Sequence, residues 1–229
     1  MIKDRIDKVR QEIEEACRKI GRDPQEITMV GVTKYAAAGQ IVEAVEGGLT
    51  HIGENKVQQA QEKFPALTEF GPKVTRHMIG HLQTNKVKDC LELFDIIQSV
   101  DSLKLAEAIS KEAGKQGRTA DILVQVNTSG ERQKFGVAPK EAMALIEQIA
   151  RLPKLQVHGL MAMAPLGGVE ANIRRSFVNL RELRERVIKN FEGSDTVSMT
   201  YLSMGMTDDF KIAIEEGSNM VRIGRAIFH

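Results

Sequence analysis

Apolar residues near the start of the chain recur at the spacing of an α-helix. The apolar positions that lie three or four residues apart are Ile2, Ile6, Val9, Ile13 and Cys17. Residues at this spacing share one face of a helix, and a glycine, here Gly21, commonly ends one. The pattern predicts an amphipathic helix over residues 2–20.

After this helix, short strand-like runs alternate with helix-like stretches. The predicted strands are 27–33, 51–54, 76–80, 95–100, 120–127, 156–162, 199–203 and 220–223. The predicted helices between them are 39–47, 55–63, 84–92, 102–116, 139–151, 170–190 and 208–216. Strands separated by helices favour a parallel sheet.

Eight such units in 229 residues favour a closed (β/α)8 barrel, the TIM barrel, at the small end of its size range. An open doubly wound sheet is the alternative. That fold more often carries a Gly-rich dinucleotide fingerprint after its first strand, and this chain has none there. No linker or composition break interrupts the alternation. We therefore predict one domain over residues 1–229.

Composition narrows the classes of partner and compartment. The formal net charge is +1, which gives no reason to expect nucleic acid or a membrane surface as the main partner. No apolar run approaches the ~20 residues of a membrane span, and we expect no signal peptide because a charged helix opens the chain. Cys17 and Cys90 lie in neither a CxxC motif nor a Cys/His cluster. A reducing, cytoplasmic compartment is therefore expected.

Lys34 ends the first strongly apolar, β-branched run of the chain. Lysines often end strands as solubilising caps, and for this residue alone that interpretation is favoured. A desolvated lysine amine, however, is a nucleophile towards aldehydes, because burial disfavours its charged form. Similar strand-end motifs later in the chain favour this second interpretation.

In a barrel of this type the active site lies at the carboxyl ends of the strands. Asn55 follows the second predicted strand and is also a candidate N-cap for the next helix. His77 and His81 are four residues apart without a third ligand nearby, which argues against a zinc site and leaves ordinary strand-end polar residues as the simpler interpretation. The region from Met161 to Met163 ends the sixth strand and also fits simple core packing.

The ends of the last two predicted strands suggest an anion site. Small residues in the segment 203–207, which we expect to be a turn, and at Gly224–Arg225 leave backbone N–H groups free to face a phosphate, and many barrels bind phosphate there. Arg222 shares a strand face with Gly224, and an arginine inside a barrel is costly unless it meets a partner. With Lys34, these features suit a phosphorylated aldehyde such as pyridoxal 5′-phosphate (PLP).

These residues stand in motifs that together resemble a known family. The motifs are Val32-Thr33-Lys34, Gly53-Glu54-Asn55, His77-Met-Ile-Gly80-His81-Leu-Gln83-Thr-Asn85-Lys86, Lys134-Phe-Gly136, Gly159-Leu-Met161, Leu202-Ser203-Met-Gly205-Met-Thr207-Asp208 and Val221-Arg222-Ile-Gly224. Over nearly its whole length the chain resembles the YggS/PROSC family of pyridoxal 5′-phosphate homeostasis proteins. The resemblance implies a monomeric barrel similar to the N-terminal domain of alanine racemase.

The resemblance also implies roles for individual residues. Lys34 would form a Schiff base with PLP, and Arg222 would face the pyridine nitrogen. Arg225 stands where relatives often carry a small hydroxyl residue, so we expect phosphate contact there through the backbone N–H or the guanidinium. The full set expected at the cofactor is Lys34, Asn55, His77, Met161, Ser203, Gly205, Arg222, Gly224 and Arg225.

The remaining question is whether such a site performs chemistry. Racemisation needs an acid and a base on opposite faces of the substrate, and in the alanine racemases the second base is a tyrosine from a separate domain of the partner chain. We expect no counterpart of that domain, since His229 follows the last predicted strand directly. Tyr35 is expected on the opposite strand face from Lys34, and Tyr201 below the pocket.

An arginine at the pyridine nitrogen would also weaken the ring as an electron sink. We therefore predict a protein of intracellular PLP homeostasis that delivers PLP to apo-enzymes and has no substantial catalytic activity. A weak PLP-dependent amino-acid racemase is the alternative, and a lyase that uses the Lys34 Schiff base without pyridoxal is a third, less favoured function.

Overall fold

Eight parallel strands form a closed barrel in chain order. The computed structural model describes residues 1–131, 133–165 and 167–229. Each strand pairs with the next, and the first pairs with the last. The strands are β1 (Thr28–Val32), β2 (His51–Glu54), β3 (Thr75–Met78), β4 (Ile96–Val100), β5 (Ala120–Gln125), β6 (Leu155–Met161), β7 (Val197–Met206) and β8 (Met220–Ile223). The predicted (β/α)8 TIM barrel is confirmed.

Helices surround this barrel and connect its strands. The α-helices of the described residues are α1 (Ile2–Lys19), α2 (Ala38–Glu46), α3 (Val57–Lys63), α4 (Val87–Leu93), α5 (Leu103–Lys115), α6 (Pro139–Ile149), α7 (Glu170–Asn190), α8 (Phe210–Glu215) and α9 (Arg225–Phe228). Segments of 3-10 helix cover Pro24–Glu26, Phe64–Lys73, which is interrupted by a kink at Gly71, and Thr84–Lys86. Helix α1, the predicted N-terminal helix, packs against α2, α8 and α9 and so fills the gap where the ring of helices closes.

Three local expectations were wrong. The segment 203–206 is strand rather than turn, because β7 continues to pair with β8 as far as the partners Met206 and Arg222. Asn55 is not the N-cap of α3; that position is Lys56, which makes no side-chain capping bond. His229 does not follow the last strand directly, because a short helix, α9, lies between β8 and His229 and buries Ile227.

Two layers of apolar side chains stabilise the fold. The larger layer lies between the sheet and the surrounding helices. The smaller cluster fills the inside of the barrel and consists of Val30, Ile96, Leu123, Met161 and Met220. These side chains come from β1, β4, β5, β6 and β8, and they make the barrel interior a packed core rather than a channel. Across the described ranges, no helix is both long and apolar enough to span a bilayer.

Candidate functional site at the carboxyl end of the barrel

A cavity of about 470 Å³ opens at the carboxyl ends of β1, β7 and β8. These strands are neighbours in the closed sheet, because β8 pairs with both of the others. Four of the residues predicted for the site line this cavity: Lys34, Arg222, Gly224 and Arg225. The other lining residues that matter for its chemistry are Tyr35, Thr207, Asp208 and Asp209.

Lys34 is half-buried, and its amine lies against an aromatic ring. The Nζ atom is 4.5 Å from the centroid of Tyr35, a cation–π distance. Tyr35 is 70% exposed and lines the same cavity. The expectation that it faces away from Lys34 was wrong, because β1 ends at Val32 and the residues that follow form a turn, where strand alternation no longer applies.

Arg222 forms the floor of the cavity and is held from below. Its Nη1 donates to Ser203 Oγ at 2.7 Å, and its Nη2 donates to the Ala162 carbonyl at 2.8 Å. Ser203 is fully buried, and its hydroxyl donates to Gln98 Oε1 at 2.7 Å. Burial lowers the pKa of Arg222 to about 10, and the negative charge of Asp209 opposes this shift.

The hydrogen bonds continue from Gln98 through the barrel interior. Gln98 Nε2 lies 2.9 Å from His77 Nδ1, and His77 Nε2 lies 2.9 Å from His51 Nδ1. An arginine can only donate hydrogen bonds, so Ser203 accepts from Arg222 and donates to the Gln98 oxygen. The Gln98 amide nitrogen then donates to His77 Nδ1, which leaves the ring proton of His77 on Nε2. Burial lowers the pKa of His77 to about 3, and the nearby His51 adds to the shift. This series of hydrogen bonds ends at His51, which lines a cleft at the amino end of the barrel.

One side of the rim is built from the residues that follow β7 and β8, beside the end of β1. An added Cβ on Gly224 would lie 3.3 Å from the Val32 Cβ, so the backbone of Gly224 passes close to the end of β1. On the surface of the rim, Arg225 forms an ion pair with Asp208. Beneath it, Asp209 Oδ1 accepts a hydrogen bond from Met206 N at 2.6 Å and braces the turn. Burial raises the pKa of Asp209.

The other predicted residues lie outside the cavity lining. Ser203 and His77 are fully buried beneath Arg222, and Met161 belongs to the inner apolar cluster. Gly205 has φ of +96°, and a Cβ there would come within 2.6 Å of the Ala213 Cβ, so it allows α8 to pack closely on β7. Asn55 lines a separate cleft with Lys56, His81 and Lys86.

Two polar residues in the surroundings of the site, the buried Gln98 and the half-buried Lys63, were not predicted from the sequence. Gln98 reads as part of an apolar strand, and Lys63 as a solvent-facing helix residue. An amide in the middle of the β-branched run of β4 was the only available signal, since a buried amide needs partners. No group of three or more His, Cys, Asp or Glu in residues 1–131, 133–165 and 167–229 is arranged to hold a metal.

The lining of the cavity suits an aldehyde that carries an anionic group. The Lys34 amine lies at one wall, the Arg222 guanidinium at the floor, and Gly224 and Arg225, which follow β8 at the start of α9, at the rim. A volume of about 470 Å³ falls within the usual range for small-molecule sites. Because Ser203 and Ala162 take two of the five guanidinium N–H donors, others can serve a ligand atom in the cavity.

The chain is similar over nearly its whole length to proteins of one family. The alanine racemase N-terminal domain family matches residues 5–229. The pyridoxal phosphate homeostasis protein of Aquifex aeolicus is 37% identical over 225 residues, which cover 98% of this chain and 96% of that protein. The protein of the same name from Escherichia coli K12 is 37% identical over 224 residues, with 96% and 92% coverage.

Solved structures extend this likeness to three dimensions. PipY of Synechococcus elongatus, solved with PLP bound, has a TM-score of 0.86 and 32% identity, and the match covers 100% of both chains. An alanine racemase of Clostridium difficile has a TM-score of 0.70 at 15% identity over 95% of this chain and 55% of that one, which shows a shared fold. The chain therefore belongs to the family of pyridoxal phosphate homeostasis proteins, which share the barrel of the alanine racemase N-terminal domain.

Proposed function

We propose that this protein binds PLP through a Schiff base at Lys34 and serves PLP homeostasis and delivery rather than catalysis. The observation that carries the proposal is that the Lys34 amine and the Arg222 guanidinium line one cavity with Gly224 and Arg225. The PLP-bound structure of PipY, a relative of matching length, supports it.

Each part of the cavity has a proposed task. PLP supplies an aldehyde and an electron-withdrawing ring when bound, and the Lys34 amine is the nucleophile for the aldehyde. Arg222 donates to the pyridine nitrogen. Backbone N–H groups near Thr207 and Gly224, together with Arg225, hold the phosphate.

The remaining predicted residues have supporting tasks in this proposal. Ser203 and His77 hold Arg222 in place through the hydrogen-bond chain. Gly205 lets α8 support the turn that carries Thr207, and Met161 packs beneath the site. For Asn55 we propose only a place beside the site, because its side chain lines the neighbouring cleft.

Two features of the cavity favour a carrier over a catalyst. Arg222 stays charged and can only donate, so it favours an unprotonated ring nitrogen and weakens the ring as an electron sink. Tyr35 lies against the Lys34 amine, so the two side chains occupy one wall, unlike the opposed pair that racemisation needs. A weak racemase is the second candidate function, because the ring of Tyr35 does line the cavity.

The setting in the cell completes the proposal. Cys17 and Cys90 are free and buried, which fits a reducing cytoplasm. We propose a monomer that transfers PLP to apo-enzymes that require it. Light scattering of the purified protein would test the monomer, and activation of a PLP-dependent apo-enzyme by the loaded protein would test delivery.

Absorption and chemical trapping test the central claim. The protein mixed with PLP is expected to show a band in the visible or near-ultraviolet, and borohydride is expected to leave a stable adduct on Lys34 that peptide mass spectrometry locates. Lys34→Ala should remove both signals while the circular dichroism spectrum is unchanged, and Lys56→Ala, at an exposed lysine, should keep both. An adduct on a different lysine would overturn the assignment.

A further inference from the structure

An ion pair between the buried Glu54 and the largely buried side chain of Lys63 lies beside the backbone of Lys34. The side chain of Glu54, at the end of β2, is fully buried, and Lys63 Nζ from α3 lies 2.7 Å from its Oε1. The Lys63 side chain is only 14% exposed. Neither residue lines the cavity, so neither is a candidate for direct contact with a ligand there.

The lysine ammonium is used to hold the main chain around Lys34. A lysine has three N–H donors. Those of Lys63 point to Glu54 Oε1 at 2.7 Å, to the Thr33 carbonyl at 2.9 Å and to the Lys34 carbonyl at 3.4 Å. The three acceptors match the three donors.

Glu54 connects the backbone around Lys34 to the end of β2. Its Oε2 accepts a hydrogen bond from Asn55 N at 2.6 Å, and its Oε1 lies 3.4 Å from the Thr33 hydroxyl. Thr33 N also donates to the Gly53 carbonyl at 2.9 Å. The chain that leaves β1 is therefore fixed to the end of β2 and to α3 at once.

Such a pair has a cost that stability alone does not explain. Burying two charges carries a desolvation penalty, and apolar residues of similar size often stabilise a fold as well or better. The regular strand ends at Val32, so the peptide groups on either side of Lys34 lie beyond it. Fixing both of their carbonyl oxygens sets the backbone angles of Lys34 and hence the direction of its side chain.

We propose that Glu54 and Lys63 are positioning residues that aim the Lys34 amine into the cavity. The inference rests on the proposed function of Lys34 and adds how its geometry is maintained. Misplacing a reacting group by about 1 Å is enough to cost a large factor in reactivity. The pair should therefore matter for a ligand that reacts with the amine and not for one that only occupies the cavity.

Two ligands separate these effects. PLP carries the aldehyde, whereas pyridoxine 5′-phosphate has the same ring and phosphate but an alcohol in its place. Lys63→Met is expected to weaken PLP binding about tenfold and to leave the affinity for pyridoxine 5′-phosphate within about twofold of wild type. Lys63→Arg should recover part of the PLP affinity, because it restores a cation to Glu54. Lys56→Met, which removes an exposed lysine beside α3, is the matched control.

A second variant keeps the test valid if Lys63→Met folds poorly. Glu54→Leu combined with Lys63→Met replaces the pair with apolar side chains and leaves no unpaired buried charge. It should show the same selective loss. In a Lys34→Ala background, Lys63→Met should not change PLP affinity, since there is no amine left to aim.

Three outcomes would overturn the inference. Equal losses of affinity for PLP and pyridoxine 5′-phosphate would show that the pair supports the cavity in general. Unchanged PLP affinity in the apolar double variant would show that the pair does not act on the site. If wild-type protein formed no adduct on Lys34, the proposed function would fail as well. A wild-type adduct together with an unaffected Lys63→Met variant would overturn this inference alone.

Discussion

Arg222 donates a hydrogen bond to Ser203 Oγ at 2.7 Å inside the barrel, directly beneath the cavity that Lys34 lines. The Ser203 hydroxyl in turn donates to Gln98. Arg222 also donates to the Ala162 carbonyl, so both oxygens that bind the buried guanidinium are neutral. An arginine with a pKa of about 10 remains charged at neutral pH. The floor of the cavity therefore presents a fixed cationic donor.

Replacing Ser203 should cost stability as well as order at Arg222. Ser203→Ala removes an acceptor from Arg222 and a donor from Gln98, and stranded buried polar groups cost about 1–3 kcal/mol each. We expect the free energy of unfolding, from urea titration, to fall by about 2 kcal/mol. Ser99→Ala is the matched control, because Ser99 Oγ is buried with no hydrogen-bond partner among the described residues. A smaller loss at Ser203 than at Ser99 would contradict the role given to the Arg222–Ser203 contact.

Gly224 should discriminate between phosphorylated and unphosphorylated ligands. A valine there places side-chain atoms against Val32 and blocks the approach of an anion to the backbone of the rim. Gly224→Val should lower the affinity for PLP at least about tenfold and change the affinity for pyridoxal little, as measured by absorbance titration. Gly114→Ala, at a glycine with no atom within 4 Å of an added Cβ, serves as control. If both ligands lost affinity equally, the phosphate would have to bind elsewhere.

The buried His77 should make the fold sensitive to acid. Its pKa is about 3 in the folded protein and about 6.5 in an unfolded chain. Between these values the unfolded chain binds more protons, so stability is lost as the pH falls from about 6.5 towards 3. Burial lowers the pKa of His51 as well, which adds to the loss.

Urea titrations at about pH 7.5 and about pH 5.5 would measure the loss, which we expect to be about 1.4 kcal/mol from His77 alone. His77→Gln should reduce this pH dependence, although its stability at neutral pH is expected to be lower. His81→Gln, at an exposed histidine, should leave the dependence as in wild type. An unchanged dependence in His77→Gln would show that other groups cause the acid sensitivity.

Turnover of amino acids should be negligible. The wild-type protein loaded with PLP and supplied with L- or D-alanine is expected to racemise it far below about 1 s⁻¹, the low end of ordinary enzyme rates. Chirality and α-deuterium exchange would be followed together. Any slow exchange that disappears in Tyr35→Phe would identify this tyrosine as its source, because its ring lies against the Lys34 amine. Sustained racemisation at about 1 s⁻¹ or more would favour the enzyme over the carrier.

Much of the fold could be predicted because its elements depend on local sequence. The strand predicted at 51–54 is β2, and Ser102 accepts a hydrogen bond from Leu105 N at the start of α5, as a serine before an apolar helical pattern suggests. Strand β7 could not be bounded in this way. It runs to Met206 because β8 pairs with it that far, and the local sequence of β7 does not show where its partner strand ends.

For the site, sequence by itself determined which end of the barrel carries Lys34, Gly224 and Arg225, because parallel strands in a closed sheet all end on one side. Only the tertiary structure decided which side chains reach the cavity and which support it from below. Closure of the barrel brings Gln98 against Ser203, 105 residues away, and α3 carries Lys63 to the backbone of Lys34, 29 residues away. Hydrogen bonds between such distant positions depend on the path of the whole chain, so no local pattern could predict them.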